Sequence, residues 1–143
     1  DPGSVPPEEG YNTVPFKKDD ILYNTIQKDI DLLTGNDYLS RSIFLFHAPP
    51  YRTNLDRAAL DGIIVNHVPL DVHVGSIAIK KFIETRQPLL TLHGHIHESA
   101  RLTGSWKDKL KNTVSFNAAH DGPELALIRF DPENLQDTVR ELI

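Results

Sequence analysis

The 143-residue chain has no cysteine and no methionine. Without cysteine there are no disulfides, no thiolate metal sites and no cysteine nucleophile. That fits a reducing compartment. The opening Asp1-Pro2-Gly3-Ser4 has no basic region followed by an apolar core, so no signal peptide is read and the cytoplasm is the expected location. No apolar run approaches the roughly 18–20 residues of a membrane span, so no membrane partner is expected. Basic charge is also short. Fifteen Lys and Arg against twenty Asp and Glu leave a net charge of −5, and nucleic acid, which calls for a basic face, is an unlikely partner. The missing Met at position 1 suggests a chain that starts after a natural start or within a longer gene product.

What is present is an ordinary globular mixture, 39% hydrophobic and 24% charged, of a length that suits one domain, 1–143. Residues 1–20 are rich in Pro, Gly and charge and read as loop or tail, with an extended stretch possible over 11–16. Leu22, Ile26, Ile30 and Leu33 recur at helical spacing and predict a helix over 21–34, capped by Asp19 or Asp20 and ended by Gly35. Ile43-Phe44-Leu45-Phe46 predicts a buried strand that Pro49-Pro50 brings to an end. Residues 51–74 read as a long irregular loop, a length that usually signals function or disorder. Ser76 caps a helix running to Arg86, stopped by Pro88. Leu89 to Leu92 predicts a second buried strand. Strand, helix, strand in that order implies a parallel pair joined by a right-handed crossover. Thr113–Asn117, Glu124–Asp131 and, more weakly, Thr138–Ile143 complete a C-terminal β-meander, with a turn at Asp121-Gly122. The fold class is α/β with a mixed sheet.

Seven histidines carry the chemical signal. His47 follows one strand, and His95 and His97 follow the other. Ligands of parallel sheets bind beyond the C-terminal strand ends, so three imidazoles are expected to converge on one rim as metal ligands. Extended backbone would turn His95 and His97 to the same side, with Gly94 permitting a tight turn. His93 should face the opposite way, and His67 and His120 read as loop residues. Asp71-Val72-His73 precedes a helix start, where a phosphate can be held, so His73 is a candidate for a substrate cleft. Arg52 is a second candidate, since guanidinium matches phosphate bidentately. Asn117, at a strand end, could orient a ligand from behind. Three neutral imidazoles do not balance two divalent cations, and such sites also call for carboxylates. The nearby acids Asp56, Asp61, Asp71 and Glu98 are expected on solvated loops.

His47-Ala48-Pro49-Pro50 followed by Leu92-His93-Gly94-His95-Ile96-His97-Glu98-Ser99 resembles the second half of a calcineurin-like metallophosphoesterase. Supporting matches are His73-Val74-Gly75-Ser76, Gln87-Pro88, Thr113 to Asn117, and Glu124 to Asp131. The resemblance spans about residues 40–131. It implies an α/β/β/α sandwich and two divalent ions (Mn, Fe, Zn, Ni or Co), with His47 and His95 on one ion and His97 on the other. Two such ions, about 3.5–4 Å apart, clamp a phosphoryl group and activate water. The family's earlier motifs, Asp-x-His, Gly-Asp-x-x-Asp and Gly-Asn-His-Asp/Glu, do not occur here in order. Gly35-Asn36-Asp37 has Asp in place of the catalytic His, and Asp71-Val72-His73 falls after His47. The resemblance therefore implies the C-terminal half-site of a phosphomonoesterase or phosphodiesterase, weakly active or inactive alone. It also implies an exposed sheet edge, covered by the missing N-terminal half or by self-association. The alternative is a non-catalytic metal-binding or protein-interaction module on the same scaffold. A histidine-triad reading of His93-x-His95-x-His97 fits poorly, because Gly94, Glu98 and Ser99 stand where that motif wants apolar residues.

Overall fold

A computed structural model describes residues 25–143. The expected tail over 1–20, the extended stretch at 11–16, Leu22 and the Asp19 or Asp20 cap lie outside these residues. The elements in chain order are α1 (Ile26–Thr34), β1 (Ile43–Leu45), β2 (Ile64–Val65), β3 (Val68–Pro69), α2 (Ile77–Arg86), β4 (Leu90–His93), α3 (Ser99–Thr103), β5 (Lys107–Leu110), β6 (Thr113–Asn117), β7 (Ala126–Asp131) and β8 (Asn134–Leu142).

The main sheet has the order β1-β4-β6-β5. β1 and β6 run parallel to β4, and β5 is antiparallel to β6, so the sheet is mixed as expected. The crossover from β1 to β4 carries α2, the βαβ unit read from the sequence. Ser76 caps α2 by accepting from the Ile79 N–H, and Gln87 closes it in the left-handed region just before Pro88. Four elements were not read from the sequence: the five-residue α3, strand β5, and the short antiparallel pair β2–β3, which lies within the 51–74 stretch expected to be an irregular loop. The final hairpin, β7–β8, forms a separate two-stranded sheet rather than a continuation of a meander. Phe130 of β7 meets Phe116 of β6 at 6.0 Å, and Trp106 meets Phe116 at 5.5 Å, on one face of the main sheet.

The other face holds the core. Ile30, Leu39, Ile79, Phe82, Ile83 and Leu110 are buried together, with Phe44 and Phe46 packed against them. Phe82 sits edge-on to Phe44 at 4.9 Å and to Phe46 at 5.9 Å, an arrangement that adds ring electrostatics to apolar burial.

Two sequence expectations need correction. α1 is capped by Thr25 and buries Ile30 and Thr34, whereas Leu33, expected on the inner face, is 81% exposed. Arg86 fixes this face: it donates to Thr34 Oγ1 and to the carbonyls of Gly35 and Asp37, so the polar end of α1 is turned inward. β1 is not a fully buried strand. Phe44 and Phe46 face the helices, but Leu45 is 81% exposed and Ile43 is also exposed. Among the described residues β1 pairs on one side only, with β4. A continuous apolar run thus marks an edge strand whose outer apolar side chains lack cover.

Candidate functional site

β1 and β4 are in parallel register, with Leu45 opposite Leu92. The Phe46 N–H donates to Leu92 O, and the Gly94 N–H to His47 O at 3.1 Å. Both chains therefore leave the sheet at one level. This brings the His47 and His95 rings to 4.5 Å, tilted by 59°. Both residues are exposed. Partial desolvation first, and then the neighbouring His47 and His97, hold the His95 imidazole below its ordinary value, while Glu98 opposes them. His97 is thus within electrostatic reach of His95. A shallow depression of about 430 Å³, lined by Leu45, Phe46, His47, His93 and Gly94, opens beside the rim.

The local backbone differs from the expectation. Gly94 does not take a positive φ; the left-handed residue is His95, at φ 73°. The segment after β4 turns instead of staying extended, so strand alternation is not what relates His95 to His97. A non-glycine residue in this region is strained and needs its surroundings to hold it there. Asn117 supplies part of that support. Its side chain is fully buried at the end of β6, and Nδ2 donates to Leu55 O, Ile96 O and Ser99 Oγ while Oδ1 accepts from the Ala119 N–H. Asn117 thus ties the backbone between His95 and His97 to residue 55, and it makes no hydrogen bond to an imidazole.

His93 faces inward. Its ring is stacked 5.9 Å from Phe46, with Nδ1 2.9 Å from Ala48 O and Nε2 2.8 Å from Thr91 Oγ1. Thr91 Oγ1 is in turn 2.7 Å from Ser115 Oγ. A carbonyl can only accept, so Nδ1 carries the proton and Nε2 accepts from the threonine hydroxyl. Burial holds His93 down at about 4, against a small opposing effect of the Ala48 bond.

The loop over 51–74 is more ordered than its composition suggests. Asp56, expected on a solvated loop, is completely buried. Oδ1 accepts from the Thr53 N–H at 2.9 Å, Oδ2 accepts from the N–H groups of Arg52 at 2.8 Å and Gly75 at 3.0 Å, and His73 Nδ1 lies 2.8 Å from Oδ1. Sequence reasoning missed Asp56 because its donors are mostly backbone groups. The available signal was Thr53-x-x-Asp56, the spacing at which a carboxylate reaches back to the backbone N–H three residues before it. The three other acids are more open: Asp61 pairs with Arg57, Asp71 with Tyr51 and Arg52, and Glu98 accepts from the Ala59 N–H. Arg52, itself left-handed at φ 54°, lies over the Tyr51 ring, and the His73 ring meets Tyr51 edge-on at 6.4 Å. The structure therefore brings the sequence candidates into two groups, His47 with His95, and Arg52 with His73 around Tyr51.

Among the described residues no group of three or more His, Cys, Asp or Glu side chains is placed to hold a metal ion. The two rim imidazoles fit part of a coordination sphere. The carboxylates that two divalent ions require are engaged elsewhere, so a complete dinuclear cage is not assembled by these residues. No helix among them is long and apolar enough to cross a membrane.

No family model and no solved structure matches the chain. An uncharacterized protein of Methanocaldococcus jannaschii, MJ1162, is 40% identical over 80 residues, which cover 54% of this chain and 31% of that protein. The chain thus spans about a third of the length of the curated relative it matches.

Proposed function

We propose that this chain supplies the C-terminal half-site of a metal-dependent phosphoester hydrolase. The observation that carries the reading is the 4.5 Å approach of His47 and His95 at the C-terminal ends of adjacent parallel strands, where ligands of such sheets bind. In this reading His47, His95 and His97 are metal ligands, and Arg52 and His73 touch substrate. Bound divalent ions would supply Lewis-acid polarisation of the phosphoryl oxygens and a water activated for attack. The chain's own residues orient and enclose: Asn117 holds the turn that carries His95, and His93 holds Ala48 next to His47. The remaining carboxylate ligands come from outside the described residues, and the uncovered outer side of β1 is where a further part of the protein, or a second copy, packs.

The competing reading, a non-catalytic metal-binding or interaction module, is favoured by the lack, among the described residues, of any three His, Cys, Asp or Glu side chains placed to hold an ion. Hydrolysis of p-nitrophenyl phosphate and bis(p-nitrophenyl) phosphate in Mn²⁺ by the gene product that contains this chain separates the two. Turnover should fall by about a hundredfold or more in His95→Ala. Turnover that survives this substitution, or no turnover by the parent protein, defeats the catalytic reading.

A further inference from the structure

Asp56 is an unusual investment for a surface loop. A fully buried carboxylate is costly unless its oxygens are satisfied, and here four donors converge on two oxygens. They come from two separate stretches, residues 52–53 and residues 73–75. The Val74 N–H also donates to Asp56 O, and the Ala58 N–H to Val72 O, so the two stretches are zipped around this side chain. Gly75 makes the closeness possible. A Cβ there would lie 2.7 Å from Pro49 O and 2.8 Å from both Cβ and Oδ2 of Asp56.

The donor set fixes the imidazole. An ionised carboxylate can only accept, so with Asp56 in that form His73 Nδ1 carries the proton in their contact. Nε2 is then the nitrogen left for a ligand, and no hydrogen bond to it forms among the described residues. The His73 side chain is about a third exposed, at 30%. Arg52, a second group suited to oxyanions, stacks on the same Tyr51 ring and, like the His73 N–H, approaches the Asp71 carboxylate.

We propose that Asp56 and His73 form an anion-binding pair in which the buried carboxylate locks the imidazole and presents Nε2, with Arg52 as the second arm, to the phosphoryl oxygens of the substrate. The assignment rests on the phosphoester reading and adds Asp56 as a positioning residue. A phosphate monoanion brings its own proton, and one hydrogen bond spans Nε2 and a phosphate oxygen whether that proton stays on oxygen or moves to nitrogen. Asp71 occupies part of this surface: it accepts from the Tyr51 hydroxyl and the His73 N–H and lies 3.9 Å from Arg52. A bound anion therefore competes with Asp71 for Arg52.

Long-range ¹H–¹⁵N spectra of the whole chain, titrated with inorganic phosphate, test the pair. The Nδ1–H tautomer of His73 is expected without phosphate, and its ring resonances should move as phosphate is added. Asp56→Asn should abolish the single tautomer and raise the phosphate Kd about tenfold or more. If Asp56→Asn does not fold, His73→Phe keeps the backbone bonds to Asp56 and should show the same loss. An Nε2–H tautomer, a His73 ring unmoved by phosphate, or a His73→Phe variant that binds phosphate like the parent overturns the proposal. Mn²⁺-induced broadening at His47 and His95, followed in the same samples, reports the metal reading separately. Its absence with the His73 response intact removes the metal site and leaves the pair.

Discussion

His93 makes stability depend on pH in a window set by its burial. An unfolded histidine titrates near 6.5, and this one is held down at about 4. Between those values the unfolded chain has taken up a proton that the folded chain still refuses. Falling pH therefore favours unfolding across the window, and full stability from this group returns above about 6.5. At about 1.4 kcal/mol per pH unit, the loss accumulates to about 3 kcal/mol by pH 4 and then levels off. The structural cause is explicit. Protonating Nε2 places a charge against Thr91 and Phe46 and reverses the hydroxyl chain through Thr91 to Ser115. His93→Asn keeps a donor for Ala48 O and does not titrate. Urea unfolding followed by Trp106 fluorescence between pH 4.5 and 7.5, with EDTA present so that ions contribute nothing, measures both proteins. The parent should lose stability with acid more steeply than the variant, by about 1 kcal/mol per pH unit in mid-window. Parallel curves would refute the assignment of His93 as a buried neutral imidazole.

Gly75→Ala forces a methyl group against Pro49 O and Asp56. It should cost about 1–3 kcal/mol in denaturant unfolding and disturb the His73 resonances more than those of His95. Asn117→Ala leaves Leu55 O, Ser99 Oγ and the Ala119 N–H without their partner. A loss of about 2–3 kcal/mol is expected, with faster amide exchange over 94–99 as the local signature.

The parallel crossover was legible in the sequence because two independent signals agreed on it: strands ending at His47 and His93, and a capped helix between them. The convergence of His47 and His95 followed from that topology. Burial was less legible. Ile43 and Leu45 look like core in a continuous apolar run, but their exposure depends on β1 being an edge, which only the strand order reveals. Asp56 was misread for the opposite reason. Charge predicts exposure, and the four donors that make its burial tolerable are conformational facts of two loops. The turn after β4 was misplaced by one residue, because glycine advertises left-handed backbone and here His95 adopts it. α3, β5 and the two-residue strands β2 and β3 carry no periodicity over two to five residues and could not be read.

The central claim is that His47 and His95 jointly bind a divalent ion at the rim of the sheet. Calorimetric titration of the chain with Mn²⁺ and Zn²⁺, beside His47→Ala and His95→Ala, tests it most directly. Saturable binding in the parent, weakened about tenfold or more by each substitution alone, is the predicted result. Binding of equal strength in all three proteins, or none in the parent, would contradict it.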